Sequence, residues 1–353
     1  MDTGNFPQQM AGGGTESLLP SSLPPVLSRP ISYAFDGPTT NITQHTQSTD
    51  PPEFRVVHDD PVKFALAYAA ANGGIRVPFI CAAHRRGPGL LHYDKLPTYE
   101  ENFCHRSNLL DTLTRKWPGI DNRPLYPISE TGGIFSDRVA VYLGPRLDNY
   151  TKLNPIPDLP VISVPPVRNP DVTAKGLYSR GEDKSIMRQK ICGALRMCVH
   201  HRYDQVVIGD FGLGDGFNNP PQYLAEIWRD LLLFDPNLRG QFRSVHFVFT
   251  DPLQSTTQCH RDRRQKYNER ERLVQMLARD GTSSSRSEGA PSGPSSQRAP
   301  TDMEVFESVF QIELSSKRAP TDMAIFESVF HPDEIKRVRK EAASSSSTNM
   351  VLS

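Results

Sequence analysis

Val206-Val-Ile-Gly-Asp-Phe-Gly-Leu-Gly-Asp-Gly-Phe217 runs three β-branched residues straight into a loop holding Gly209, Gly212, Gly214 and Gly216. β-Branched residues favour extended chain, and closely spaced glycines let the backbone turn sharply. Beyond the loop, Leu224, Ile227, Trp228, Leu231 and Leu232 recur at helical spacing. A second apolar strand, Val245-His-Phe-Val-Phe249, follows. Strand, glycine loop, helix and strand in this order predict a layered α/β domain.

Towards the N-terminus the alternation continues. Asp59-Asp60-Pro61 has the form of a helix start, an acidic cap followed by proline in the first turn, and Gly73-Gly74 closes that helix. Val77–Ala83 reads as a buried strand, and a helix is expected over 97–116 with Phe103, Leu109, Leu110 and Leu113 facing a core. Val139–Leu143 and Leu159–Val164 read as strands, and Ile191, Ala194, Leu195, Cys198 and Val199 mark another packed helix. The expected fold is a three-layer α/β sandwich around a largely parallel or mixed sheet. Residues 1–52, poor in apolar side chains, are expected to be disordered, with the domain at 53–260. The remaining 261–353 reads as a charged helix, a disordered Ser/Gly/Pro linker and a duplication. In that duplication, Arg298-Ala-Pro-Thr-Asp-Met-Glu-Val-Phe-Glu-Ser-Val-Phe310 recurs at 318–330 with two changes. Each copy can form a short amphipathic helix for a protein partner or for the domain itself.

Composition excludes several classes. Lys+Arg 40 balances Asp+Glu 40, so no global basic field exists for gripping nucleic acid, and no sequence-specific nucleic-acid binding is expected. The five cysteines are scattered without CxxC spacing, against a disulfide framework or zinc ribbon. Residues 1–28 lack basic residues, unlike a signal or transit peptide, and no apolar run is long enough for a bilayer. The expected setting is intracellular, cytoplasmic or nuclear, with no membrane partner.

The glycine loop can turn backbone N–H groups toward an anion, with the following helix start adding a favourable field. It is neither GxGxxG nor a GK[ST] loop, which disfavours a dinucleotide fold or NTPase. A second glycine element, Arg85-Arg86-Gly87-Pro88-Gly89, follows the Val77–Ala83 strand and precedes Tyr99-Glu100-Glu101. Taken alone, these are equally an ordinary strand–helix turn and a pair of solvated carboxylates at a helix start. His84, His92, Asp94, Cys104 and His105 lack paired metal-ligand spacing, so neither metal nor cofactor is expected.

In their order, these elements resemble the microbial-type poly(ADP-ribose) glycohydrolase catalytic domain, a macrodomain relative of bacteria and fungi. Gly87-Pro88-Gly89 sits at that family's first glycine loop and Tyr99-Glu100-Glu101 at its Gln-Glu-Glu signature. Val206–Pro221 resembles its strand, phosphate loop and Phe-x-Asn-Pro-Pro exit. Pro88, Tyr99, Leu213 and Asp215 depart from the pattern, which makes the chain similar to a divergent, fungal-type member. The resemblance implies hydrolysis of the ribose–ribose bond of poly(ADP-ribose) or release of ADP-ribose from a modified protein. It implies Glu101 as general acid and Glu100 as its partner on the ribose. Gly87, Gly89, Tyr99, Gly209, Gly212, Gly214, Gly216 and Phe217 are implied to bind the ligand. Two alternatives stay open: an inactive ADP-ribose reader, and a scaffold whose working part is the tail.

Overall fold

The computed structural model describes residues 29–35, 48, 50–89, 98–116, 124–280 and 319–351. Seven strands form one mixed sheet: β1 Ile31–Ala34, β2 Glu53–His58, β3 Phe79–Ala82, β4 Gly132–Ala140, β5 Asp158–Val164, β6 Gln205–Ile208 and β7 Ser244–Phe249. Their order is β1-β4-β5-β3-β6-β7-β2. β4 is antiparallel to both β1 and β5, and the other pairings are parallel. Parallel strands need both faces covered, and side chains alternate between faces along each strand. Phe79 and Cys81 accordingly enter one core while Ile80 enters the other; Val207 and its neighbours Val206 and Ile208 divide in the same way.

One layer contains α1 Pro61–Ala71, α2 Tyr99–Arg106 and α3 Leu109–Thr114, which bury Val62, Ala65, Phe103 and Leu109. The opposite layer contains α4 Gly181–His200 and α6 Pro221–Phe234, with α5 Gly214–Phe217 between them in sequence. In α6 the expected stripe faces inward: Leu224, Ile227, Trp228, Leu231 and Leu232 are all buried. Burying each such side chain contributes about 1.5–3 kcal/mol, so this face holds the helix more firmly than local propensity does. Asp60 caps α1 by accepting from the Lys63 N–H at 2.9 Å, as the Asp-Pro start implied. The helix expected over 97–116 is broken. Ser107 and Asn108 leave it, and Asn108 Oδ1 accepts from the Ala140 N–H at 2.8 Å, which ties the break to β4.

Ordered structure extends beyond the expected 53–260 at both ends. Within 1–52, taken as disordered, Ile31–Ala34 is a strand paired with Gly132–Phe135. The reason lies far along the chain: Gly193 in α4 leaves a space that Phe35 fills, and Tyr33 Oη meets His201 Nε2 at 2.8 Å. A Cβ at Gly193 would stand 2.4 Å from the Phe35 ring. Gly193→Ala is therefore expected to destabilise the protein by about 1–3 kcal/mol through overpacking. Urea titration checks this, and adding Phe35→Ala should recover part of the loss. At the other end, the charged residues 261–280 form most of α7 Thr256–Asp280. The second repeat forms α8 Asp322–Val329, followed by α9 Pro332–Val351. Phe326 and Phe330 are buried in the core beside α6 and β7. The first repeat and the linker before it lie outside the described residues.

Candidate active site

β3 and β6 are parallel neighbours, with Phe79 opposite Val207, so the loops leaving their carboxyl ends emerge side by side. Open α/β sheets bind ligands at that edge. The loop after β3 carries His84 to Gly89, and Gly89 adopts φ +55. Its Cα lies so near α2 that a Cβ would sit 3.4 Å from Cys104 Sγ. Pro88 has no N–H, which removes one donor from this loop.

The first turn of α2 presents the two glutamates. Thr98 caps the helix in a reciprocal box: its hydroxyl accepts from the Glu101 N–H, and Glu101 Oε2 accepts from the Thr98 N–H at 2.7 Å. Glu101 Oε1 stands 3.7 Å from His84 Nε2. Glu100 is fully buried, and its Oε2 accepts from the His84 N–H at 2.8 Å. Glu100 thereby folds the first glycine loop back onto α2. Neither Glu100 Oε1 nor Glu101 Oε1 has a hydrogen-bond partner among the described residues.

Burial pushes the Glu100 carboxyl from 4.5 up to about 8; the His84 and Gly89 donors oppose this, and the neighbouring Glu101 charge adds to it. The folded state then holds a proton that the unfolded chain releases above its ordinary carboxylate range. Stability from this group is full below about 4.5 and falls as the pH rises through about 8. Glu100→Gln is expected to flatten that slope. Denaturant titrations of both proteins at pH 5 and pH 8 check it, and an unchanged pH difference in the variant would refute the assignment. Asp210, raised to about 7 by burial, titrates in the same direction and leaves a smaller slope behind.

The loop after β6 reaches α5 through Gly212 at φ +81 and Gly214 at φ +67. The positive φ calls for glycine, and a Cβ at Gly212 would also push the Met187 methyl, 2.7 Å away. Gly209 packs tightly on Phe79 and Pro61. The Gly214 N–H donates to Thr256 Oγ1 at 2.8 Å, so this expected ligand donor is engaged inside the protein. By helix geometry the first-turn N–H groups of Asp215 and Gly216 have no intrahelical carbonyl, which suits an anion. Phe217, buried, ends α5. The Asp215 side chain lies outside the described residues.

Sequence reasoning places Asn219 in the Phe-x-Asn-Pro-Pro exit but assigns no role to the asparagines that hold this loop. Asn218 takes the left-handed φ of 57, which Asn tolerates. Asn219 is fully buried; its Nδ2 donates to Val167 O and Gly212 O, both at 2.8 Å, and its Oδ1 accepts from Tyr178 Oη at 2.9 Å. It thus joins the loop after β5 to the glycine loop.

The second glycine loop meets the glutamate helix. A Cβ on Gly216 would lie 3.8 Å from Thr98 Cγ2, the cap of the glutamate helix. Glu100, Glu101, Gly87, Gly89, Gly209, Gly212, Gly216 and Phe217 therefore lie on loops or helix ends at one edge of the sheet. Tyr99 does not join them: its hydroxyl donates to Asp60 Oδ2 at 3.0 Å and accepts from Arg106 Nη2 at 3.0 Å. Among the described residues, no group of three or more His, Cys, Asp or Glu could hold a metal ion, and no helix is long and apolar enough to cross a membrane.

No family model matches the sequence, and no curated protein matches it. Solved structures do. Poly(ADP-ribose) glycohydrolase from Thermomonospora curvata aligns over 64% of this chain and 82% of its own, at 19% identity and a TM-score of 0.52. Poly(ADP-ribose) glycohydrolase from Deinococcus radiodurans, solved in complex with ADP-ribose, aligns over 58% of this chain and 80% of its own, at 20% identity and a TM-score of 0.45. At such identities the likeness is one of fold: this chain has the mixed α/β sandwich of the Thermomonospora glycohydrolase.

Proposed function

We propose that the chain is a divergent poly(ADP-ribose) glycohydrolase-type hydrolase acting on the ribose–ribose bond of poly(ADP-ribose) or on an ADP-ribosylated protein. The observation that carries this reading is the meeting of the glutamate helix with the glycine loop, Thr98 against Gly216, with one oxygen of each glutamate left without a hydrogen bond. An anionic diphosphate suits the amides of Asp215 and Gly216, and a glycosidic bond beside it would face Glu101. Glu101, in its carboxylic acid form, gives its proton to the leaving ribose oxygen as the glycosidic bond breaks. A water then adds to the anomeric carbon and its proton restores the carboxyl. Glu100, completely enclosed, supports the chemistry by holding the loop after β3 rather than by touching the bond. Gly87, Gly89, Gly209 and Gly212 supply the close backbone approach, and Phe217 packs at the far side of the loop.

One observation favours a second reading. Pro88 lacks a donor and the Gly214 N–H is occupied by Thr256, so fewer backbone amides face the ligand than the family pattern implies. A reader that binds ADP-ribose without cleaving it would tolerate this loss. The deciding experiment incubates purified protein with poly(ADP-ribose), follows free ADP-ribose by chromatography and measures ADP-ribose binding by calorimetry. Release supports the hydrolase. Binding without release at any pH from acid to neutral supports the reader, and neither result leaves the scaffold.

A further inference from the structure

Residues 319–330 fill a groove between α6, β2 and β7. Phe330 packs on Phe54 and Phe247 at ring separations of 4.8 and 4.5 Å, and Phe326 lies 5.1 Å from Phe247. The polar end is equally specific. Asp322, fully buried, accepts from the Thr256 N–H at 2.9 Å, Thr256 Oγ1 at 2.6 Å and Gln254 Nε2 at 3.0 Å. Ser255 Oγ donates to Pro320 O at 2.7 Å. Because Thr256 Oγ1 also accepts from the Gly214 N–H, the seated tail braces the glycine loop from beneath.

The buried members of this segment are Ala319, Asp322, Ile325, Phe326, Val329 and Phe330. At the matching positions the first repeat has Ala299, Asp302, Val305, Phe306, Val309 and Phe310. Its two differences fit the same seat. Val305 is one methylene shorter than Ile325, and Glu304 replaces Ala324, which is exposed. We propose that residues 298–310 are a second occupant of this groove within the same chain, able to replace 318–330 with Asp302 taking over the contact of Asp322.

The chain length allows it. α7 starts at Thr256, at the mouth of the groove, and its 25 residues extend about 37 Å. The 18 residues from 281 to 298 can span roughly 60 Å when extended, enough to return. Closing this shorter loop instead of the 38 residues from 281 to 318 favours the first copy by roughly threefold. The second copy has its own advantage. Ile335 beyond it is buried, and Glu334 stands 3.7 Å from Arg229, whereas Ser315 occupies the position matching Ile335. Exchange would release α9 while keeping an aspartate on Thr256 and hence the brace under Gly214. The inference does not depend on which reaction the site performs.

The test uses three full-length variants: F326A/F330A, F306A/F310A and all four changes together. F306A/F310A is expected to melt with the parent, and F326A/F330A within about 5 °C of it. The four-site variant should fall by at least about 10 °C, because two core phenylalanines are then lost without replacement. Hydrogen exchange should show new amide protection across 298–310 in F326A/F330A. The proposal is overturned if F326A/F330A falls as far as the four-site variant, if 298–310 exchanges as fast as in the parent, or if rescue occurs only in a dimer.

Discussion

Glu101→Gln is expected to lower ADP-ribose release by about 10²–10⁴-fold while leaving ADP-ribose affinity nearly unchanged. The amide keeps the size of the carboxyl but has no acidic proton for the leaving oxygen. The fold should survive, because Gln serves as well as Glu at the third position of a capping box. Its carbonyl can still accept from the Thr98 N–H that Glu101 Oε2 now receives. A melting temperature close to the parent's would show that the loss is chemical. Glu101→Ala, which also removes the cap, should lose both activity and stability. A Glu101→Gln protein that releases ADP-ribose within tenfold of the parent would remove Glu101 from the general-acid role.

Where the signal was local, the fold could be read early. β6 and the glycine loop sit next to each other in sequence, and the Asp60 cap is a three-residue feature. The stripe on α6 needs only its own periodicity. Elements held by distant partners were invisible. β1 has only four residues, and it is anchored by its pairing with β4 and by the space over Gly193. β2 went unread because Glu53-Phe-Arg-Val-Val-His58 is short, buries no side chain fully and loses its alternation at Val56-Val57; its pairing to β7 holds it in the sheet. The break between α2 and α3 depends on Asn108 bonding to Ala140 of β4, a strand that follows it by more than twenty residues. A residue's partners, not its own propensity, decide such cases.

The same division runs through the candidate site. The resemblance named both glycine loops and the glutamates, since each is a short run of adjacent residues. It could not show that Glu100 would be enclosed and tied to the His84 N–H, or that Asn219 would join two loops. Nor could it show that Gly214 would give its N–H to Thr256. These are consequences of packing among segments that are far apart in the chain, including a tail helix more than a hundred residues beyond the loop it braces.

Tyr99 was read as a ligand residue, and its structural setting leads to the second large effect. Arg106, at the end of α2 and buried, donates from Nη1 and Nη2 to both oxygens of Asp60 at 3.0 and 2.9 Å and to Tyr99 Oη at 3.0 Å. The Val62 N–H also reaches Tyr99 Oη, at 3.3 Å. Asp60 meanwhile caps α1. This cluster fixes the helix carrying Glu100 and Glu101 against the start of its neighbour. Arg106→Met keeps much of the side-chain volume but leaves the Asp60 carboxylate enclosed without its guanidinium. Removing one partner of a buried pair costs about 3–5 kcal/mol, far more than the pair itself need contribute. Urea unfolding should register that loss, and adding Asp60→Asn should return part of it by removing the stranded charge. Tyr99→Phe, which deletes one donor to Asp60, should cost about 1 kcal/mol. Tyr99→Gln, which would bring in the glutamine of the signature this stretch resembles, is then expected to weaken this cluster instead of improving turnover. An Arg106→Met protein within about 1 kcal/mol of the parent, on the scale of an exposed ion pair, would show that water reaches the cluster and that α2 is held by its apolar face alone.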